Sequence, residues 1–504
     1  MKPNDKYIQH ILGLGLLVSA SVFMLHGCSK GFLNVAVQGQ QPVTQLWQTE
    51  TDATNAVNAI YANLRTYDNT AFPPIAIESL GSDDAVKGSV PTDATFMNGY
   101  DNFTVTATEG QLDGFWQGQY QNINFCNQVL DSIVNINMDA SLKARYFAEA
   151  KFVRAYSYFR LERAFGNIPL VLQIPGTAAQ INPVQSTPAQ VYAAIEQDLS
   201  DAASVLPQSY GASDVGRATK GAALALHAKV ALYEKKWSDV VTYTKQVMGL
   251  GYALFPSYEQ MFRIPNENCS ESIFEIQCNY VAGNEGINSS QYSQVEGDRD
   301  VSPSVGWGFN VPTQDLVNEF EAGDPRLQAT IMMEGTTTPE GDAVPMASAG
   351  APTMYNMKSY VPFAQAAAHD AAGNPGCEQN VRVLRYADVL LMNAEANNEL
   401  GDAADALTSL EMVRARARAN SANPATTLPP VTATDQATLR TAIYHERRVE
   451  LAMEFDRCFD VIRQGRAAAV FGSLGWKPNK NEVWPIPQNE IDVSAGVLKQ
   501  NVGY

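Results

Sequence analysis

The sequence predicts a mainly α fold: a scaffold of paired helices that carries long irregular loops and a few short strands. Three observations point there. Two stretches, 216–249 and 383–419, each read as two helices around a tight turn. Two long segments, 68–109 and 251–380, lack helical periodicity and scatter aromatics among Gly, Pro, Asn and Ser. The stretch 439–463 reads as one helix, with Leu451, Phe455, Phe459 and Ile462 on an apolar stripe and Arg447, Glu450, Glu454 and Arg457 beside it. That charge spacing predicts carboxylates paired with arginines along the helix itself. The alternative is Glu450 or Glu454 as a catalytic acid or base.

The chain opens with Lys2 and Lys6, then an apolar run of 15 residues, 11–25. A spanning helix needs about 20, so the run reads as a secretory core. It ends at His26-Gly27-Cys28, which resembles a bacterial lipobox, although His26 stands where a small or aliphatic residue is usual. Residues 1–27 are read as a lipoprotein signal peptide and Cys28 as the site of fatty acylation, palmitate included; the alternative is plain cleavage that frees the chain. Several acyl chains, at about 0.8 kcal/mol per buried CH₂, give a lasting anchor. No other segment is long and apolar enough to span a bilayer. The formal charge is −18, and about −19 once residues 1–27 are removed. Such acidity excludes nucleic-acid binding and electrostatic adhesion to anionic lipid.

From Cys28 to Gln45 the chain reads as a tether. A helix follows over 46–67, capped by Thr49 with Asp52 in its first turn. After the irregular stretch 68–109, helices are predicted over 110–133, 141–165 and 187–206, the last with Pro188 in its first turn and Pro207 just past its end. The stretch 141–165 is aromatic on nearly every face, which marks burial between neighbours. In 216–249, Ala222, Ala225, Ala228 and Leu232 line one helix and Trp237, Val240 and Val247 the next, with a break at Lys235-Lys236. The unit 383–419 repeats this around Leu400-Gly401-Asp402. Both are tetratricopeptide-like, about 34 residues each, and neither helix of a pair can bury its face alone. The helices over 46–67 with 110–133, and 141–165 with 187–206, are candidates for degenerate units. Between the repeats, a strand is predicted over 272–280, a short helix over 312–320 and loops over 331–380; a Pro/Thr-rich linker covers 421–434.

Several segments resemble the SusD/RagB family. These are E-R-R-x-E-L (Glu446–Leu451) followed by Phe459-Asp460 and Arg463-x-Gly465; the segment Ala148–Leu172; G-D-P-R-L (Gly323–Leu327); and P-I-P-x-x-E-I through N-x-G-Y (Pro485–Tyr504). The resemblance spans nearly the whole mature chain, in family order. It implies a lipid-anchored protein of the cell outer membrane, facing the exterior, that captures a glycan and delivers it to a SusC-like TonB-dependent transporter without catalysis. The organisation then reads as a signal peptide (1–27), an N-terminal SusD-like helical region (28–250), a loop-rich ligand-side region (251–380) and a C-terminal SusD/RagB helical region (381–504). Capture of peptides or another nutrient on the same scaffold, a purely structural lid on the transporter, and a surface glycosidase are the alternatives.

The motifs of common enzymes are absent: nucleophile elbow, Walker loop, Rossmann glycines and H-E-x-x-H. No cofactor or metal is expected. His227 and His445 lie in helices and read as structural; His369 reads as a loop residue. Cys126, Cys269, Cys278, Cys377 and Cys458 form no C-x-x-C pair and read as buried thiols, with a Cys269–Cys278 bridge as the alternative. Sugars lay C–H faces on aromatic rings and pair their hydroxyls with polar side chains. Two stretches, 83–103 and 280–309, offer that chemistry, and SusD-like proteins build their ligand site from such loops. The candidates are Phe96, Tyr100, Tyr292 and Trp307, with Asp83, Asp84 and Arg299 as polar partners. For Trp307 the alternative is loop packing. For Asp83-Asp84 the alternatives are turn capping, calcium binding or a glycosidase pair.

Overall fold

A computed structural model describes residues 47–281, 289–303, 305–371 and 377–504. The signal segment, Cys28 and the tether up to Gln45 lie outside the described residues. The frame is ten helices: α1 (Glu50–Leu64), α2 (Gly110–Ser132), α3 (Ala140–Phe165), α4 (Pro188–Val205), α5 (Lys220–Tyr233), α6 (Trp237–Met248), α7 (Tyr386–Glu399), α8 (Ala403–Ala419), α9 (Gln436–Leu451) and α10 (Arg457–Arg463).

Local signals set the helix ends. Thr49 Oγ1 accepts from Asp52 N (3.2 Å) while the Asp52 carboxylate accepts from Thr49 N (2.8 Å), a reciprocal cap that satisfies two donors the helix cannot. Thr187 and Gln190 make the same cap on α4. Lys235 between α5 and α6, and Gly401 between α7 and α8, take positive φ values of 58° and 83° to turn the chain back.

The helices stack in sequence order, α1 on α2 through α6 on α7 and α7 on α8 and α9. The two strongest repeats therefore touch directly, α6 against α7, although a long segment separates them in sequence. Alanines at 222, 225 and 228 are fully buried and let α5 sit close to its neighbours. The stack buries one continuous apolar core.

The irregular stretches hold more order than their sequence shows. Residues 68–109 contain one-turn helices and a strand, Ala85–Gly88, and they bury Ile75, Ile77, Leu80 and Met97. Pieces of three to five residues are too short to display a period. In the 251–380 segment, Ser272–Ile276 pairs with Val381–Arg385, and Ile331–Met333 with Met354–Asn356, both antiparallel. His369 lies in a helix, Phe363–Ala371, not a loop.

The stretch read as a single helix is two. α9 ends at Leu451 and α10 begins at Arg457, with Met453 and Phe455 at φ values of 64° and 69° between them. Each such residue costs about 1–3 kcal/mol. What offsets that cost is charge placement. The break lets Glu454 turn to Lys358 (2.6 Å) and Arg385 (2.7 Å), and Asp456 to Arg163 (3.0 Å) and Lys229.

The ion pairs are also not along the helix. Glu450, fully buried, meets Arg385 (2.6 Å), Arg416 (2.6 Å) and Arg326 (3.1 Å), each from a different element. Glu446 meets Arg326 (2.5 Å) and Arg414 (2.9 Å). Arg447 reaches Asp388 of α7 (2.5 Å) and Asp460 of α10 (2.6 Å). The charged face of α9 is thus the junction of the protein.

Burial pushes the Glu450 carboxyl upward, but Arg416, Arg385 and Arg326 together outweigh burial and hold it down to about 2. Glu450→Gln should destabilise the protein by about 3–5 kcal/mol, because three buried guanidinium groups lose their shared anion. A depressed carboxyl stabilises above its unfolded value near 4.5 and stops doing so as pH falls toward 2. In thermal melts, the gap between wild type and Glu450→Gln should therefore be full at pH 6 and shrink below about pH 4.5.

Candidate functional site

The two aromatic-bearing stretches meet through a short ladder. Ala85–Gly88 runs antiparallel to Phe309–Pro312, with Gly88 opposite Phe309. At that crossing Ser89 N donates to Gly308 O (2.5 Å), and a Cβ on Gly88 would lie 2.5 Å from the same oxygen. Only glycine admits so close an approach, at a φ of 74°. The ladder delivers the loop 89–96 on one side and the loop residues Arg299, Gly306 and Trp307 on the other.

Each loop is fastened from beneath. The buried Lys87 Nζ donates to the carbonyls of Val90 (3.0 Å) and Asp93 (2.6 Å), pinning the first. Trp307 N donates to Gln294 O and Gly308 N to Gly297 O, both at 2.8 Å, pinning the second to the short helix Tyr292–Glu296.

Between the loops is an open depression of about 550 Å³, lined by Phe72, Asp93, Phe96, Arg299, Trp307 and Phe309 with two small residues. Phe96 is 49% exposed. Trp307 is half-buried and lies tilted on Phe72, with ring centroids 5.8 Å apart; Phe72 meets Phe309 edge-on at 4.7 Å. Arg299 pairs with Asp93 (3.3 Å) and donates to Ser89 Oγ, which in turn donates to Asp93 (2.8 Å). The floor is therefore apolar and ring-lined, and the rim offers a donor and an acceptor side by side. That is the chemistry a pyranose presents in complement: C–H faces and hydroxyls.

Of the seven residues expected from sequence, Phe96, Arg299 and Trp307 come together here. The other four do not. Asp83 is gripped by Arg457 (2.7 Å) and Arg448 (2.9 Å), and Asp84 by Arg448 (2.8 Å). Their carboxylates serve as counter-ions at the far edge of the α9 junction, which leaves them no part in calcium binding, sugar contact or a glycosidase pair. Tyr100 is fully buried edge-on to Trp484 (5.3 Å) with its hydroxyl on Glu109. Tyr292 is buried against Phe455 (5.9 Å). Both rings fill the core.

Phe72, Asp93 and Phe309 complete the depression and were not singled out. Asp93 and Phe309 lie inside the two stretches that sequence pointed to. Phe72 lies outside both, and no local pattern marks it. A larger cavity of about 650 Å³ lies near Pro256, Leu327 and Met333. Its one ring, Tyr258, is buried and spends its hydroxyl on Glu450 O (2.8 Å), so it offers no exposed face.

The two helical histidines take structural places. His227 stacks on Tyr243 at 4.0 Å, and burial holds its imidazole down to about 4. His445 bonds the Glu319 carbonyl (2.9 Å). Cys269 and Cys278 are free thiols, so no bridge joins them. Two carboxyls back the site: the half-buried Asp101 accepts from Lys87 N (3.0 Å), and the buried Glu296 from Asn310 and Asn356 (both 2.6 Å). Burial pushes both up to about 7.

Residues 270–504 match the family described as the SusD family, and residues 32–232 match one described as "Starch-binding associating with outer membrane". Among solved structures, a laminarin-binding SusD-like protein is 31% identical, covers 91% of this chain and all of its own, and superposes with a TM-score of 0.76. A surface glycan-binding protein A from Bacteroides fluxus is 26% identical over 91% of this chain and all of its own, with a TM-score of 0.75. SusD-like protein P2 of Formosa agariphila is 27% identical, covering 91% of this chain and 93% of that one.

A carboxyl whose folded value is raised destabilises as it ionises, so stability is lost as pH climbs from the unfolded value toward the folded one. Glu162 and Glu267 are pushed up to about 7 as well. The melting temperature should therefore fall as pH rises from about 4.5 to 7 and level off above. A melting temperature that climbs across that interval would contradict the finding that burial outweighs the nearby charges of Lys87, Arg163 and Arg382.

Proposed function

The chain belongs to the SusD family, and from that premise we propose that it captures a glycan on the Phe96–Trp307 depression and passes it on unaltered. The observation that carries this reading is the meeting of Phe96, Trp307 and Phe72 with Arg299 and Asp93, drawn from distant parts of the chain onto one pinned surface. A ring-lined, open depression binds saccharide by stacking and by exchange of hydroxyl hydrogen bonds, and it needs no reorganisation to do so. One relative's name specifies laminarin, which makes that polysaccharide the first to test.

The reading is of binding without turnover. Glycoside hydrolysis asks for two carboxyl groups about 5–9.5 Å apart across the bond to be cut. Among the described residues lining the depression, Asp93 is the one carboxylate, and it is engaged by Ser89 and Arg299. Asp83 and Asp84, the pair a glycosidase would use, are neutralised elsewhere.

The anchor and the destination belong to the same proposal. Among the described residues no helix is long and apolar enough to cross a membrane, and acylated Cys28 would hold the chain at the outer membrane, facing outward. From there it would hand the glycan to a SusC-like TonB-dependent transporter.

Trp307→Ala should weaken binding of laminarin, or of whichever glycan a polysaccharide panel identifies, by about tenfold or more in affinity electrophoresis or calorimetry, a loss of about 1.4 kcal/mol or more. No shortened product should accumulate with wild type. Peptide binding with no glycan bound would show the ligand class to be wrong. Cys28→Ser should release the chain from the membrane fraction.

A further inference from the structure

The charges around the depression specify its ligand more narrowly, given the capture reading above. Arg299 is the only cation among the described lining residues, and it is already matched by Asp93 at 3.3 Å and bonded to Ser89. Asp298 and Asp300 flank it in the chain; the first is buried and the second accepts from Ser348 (2.8 and 2.7 Å). Lys87, beneath the floor, is 5% exposed and directs its ammonium into the carbonyls of Val90 and Asp93. Among the described residues of the depression and its floor, no positive charge is left over for a ligand.

We infer that the depression takes neutral, hydroxyl-rich glycans and rejects carboxylated or sulfated ones. An anionic substituent near Arg299 would stand equally near Asp93, so attraction and repulsion largely cancel while its hydration is lost. The chain's net charge of −18 repels polyanions before contact. A neutral hydroxyl fits what is offered, because it accepts from a guanidinium N–H and donates to a carboxylate oxygen at once. Asp93 and Arg299 are then the specificity-determining pair: the cation gives direction, and the anion sets the charge class.

The test titrates the full mature chain with neutral polysaccharides led by laminarin, with polygalacturonate, and with dextran sulfate, each at low and high salt. Wild type should bind a neutral glycan with less than about a twofold change in affinity across salt, since no ion pair is screened. It should show no binding of either polyanion. Asp93→Asn keeps an oxygen for the Ser89 hydrogen bond and removes the balancing charge, so it should gain polyanion binding that high salt abolishes. Trp307→Ala should lose the gained binding too, which ties it to this depression. Salt-sensitive binding of a polyanion by wild type would overturn the charge inference and leave glycan capture standing. Failure of every glycan, neutral and charged, would overturn the capture reading itself.

Discussion

Glu450 and the three arginines around it are the constraint on which the rest of the fold depends. Each of Arg326, Arg385 and Arg416 comes from a separate element, and each is buried. Isolated, any one of these charges would cost several kcal/mol to remove from water. They are tolerable only in one arrangement, with α8, the strand Val381–Arg385, the Gly323–Leu327 turn and α9 all in place. Apolar packing tolerates small shifts; a lattice of charges does not. The α9 junction thus acts less as a source of net stability than as a device that permits one assembly.

That junction reaches the Phe96–Trp307 depression through Asp83 and Asp84. Their carboxylates are held by Arg448 and Arg457. Their carbonyls are held as well: Asp84 O accepts from Thr313 N (3.0 Å) and Asp83 O from Thr313 Oγ1 (2.6 Å). The next residues are the strand Ala85–Gly88, and Thr313 follows its partner strand. The two carboxylates therefore fix the root of the ladder whose other end presents Phe96 and Trp307. Sequence chose them for the right region and the wrong reason: they position the depression and do not line it.

The frame was legible because its signals are local. The Thr49 cap, the Pro188 start of α4, the small residues of α5 and the turns at Lys235 and Gly401 each follow from a few neighbouring residues. The helix break at Met453 and Phe455 was not, because its cause is the distant partners of Glu454 and Asp456. The same limit governs the site. Phe96, Arg299 and Trp307 stood out as aromatic or charged residues on polar loops. Tyr100 and Tyr292 carry the same signature, yet their loops turn those rings inward onto Trp484 and Phe455. Phe72 entered only when the Gly88–Phe309 crossing brought its ring under Trp307. Which way a loop residue faces depends on long-range pairing, and no period or spacing encodes that.

The most direct test of the account is a crystal structure with a bound oligosaccharide. The account predicts a sugar ring against Trp307 and Phe96, hydroxyls within hydrogen-bond reach of Arg299 and Asp93, and the two loops unmoved. Sugar seated in the cavity beside Tyr258, or on the helical stack, with the Trp307 depression empty, would contradict it.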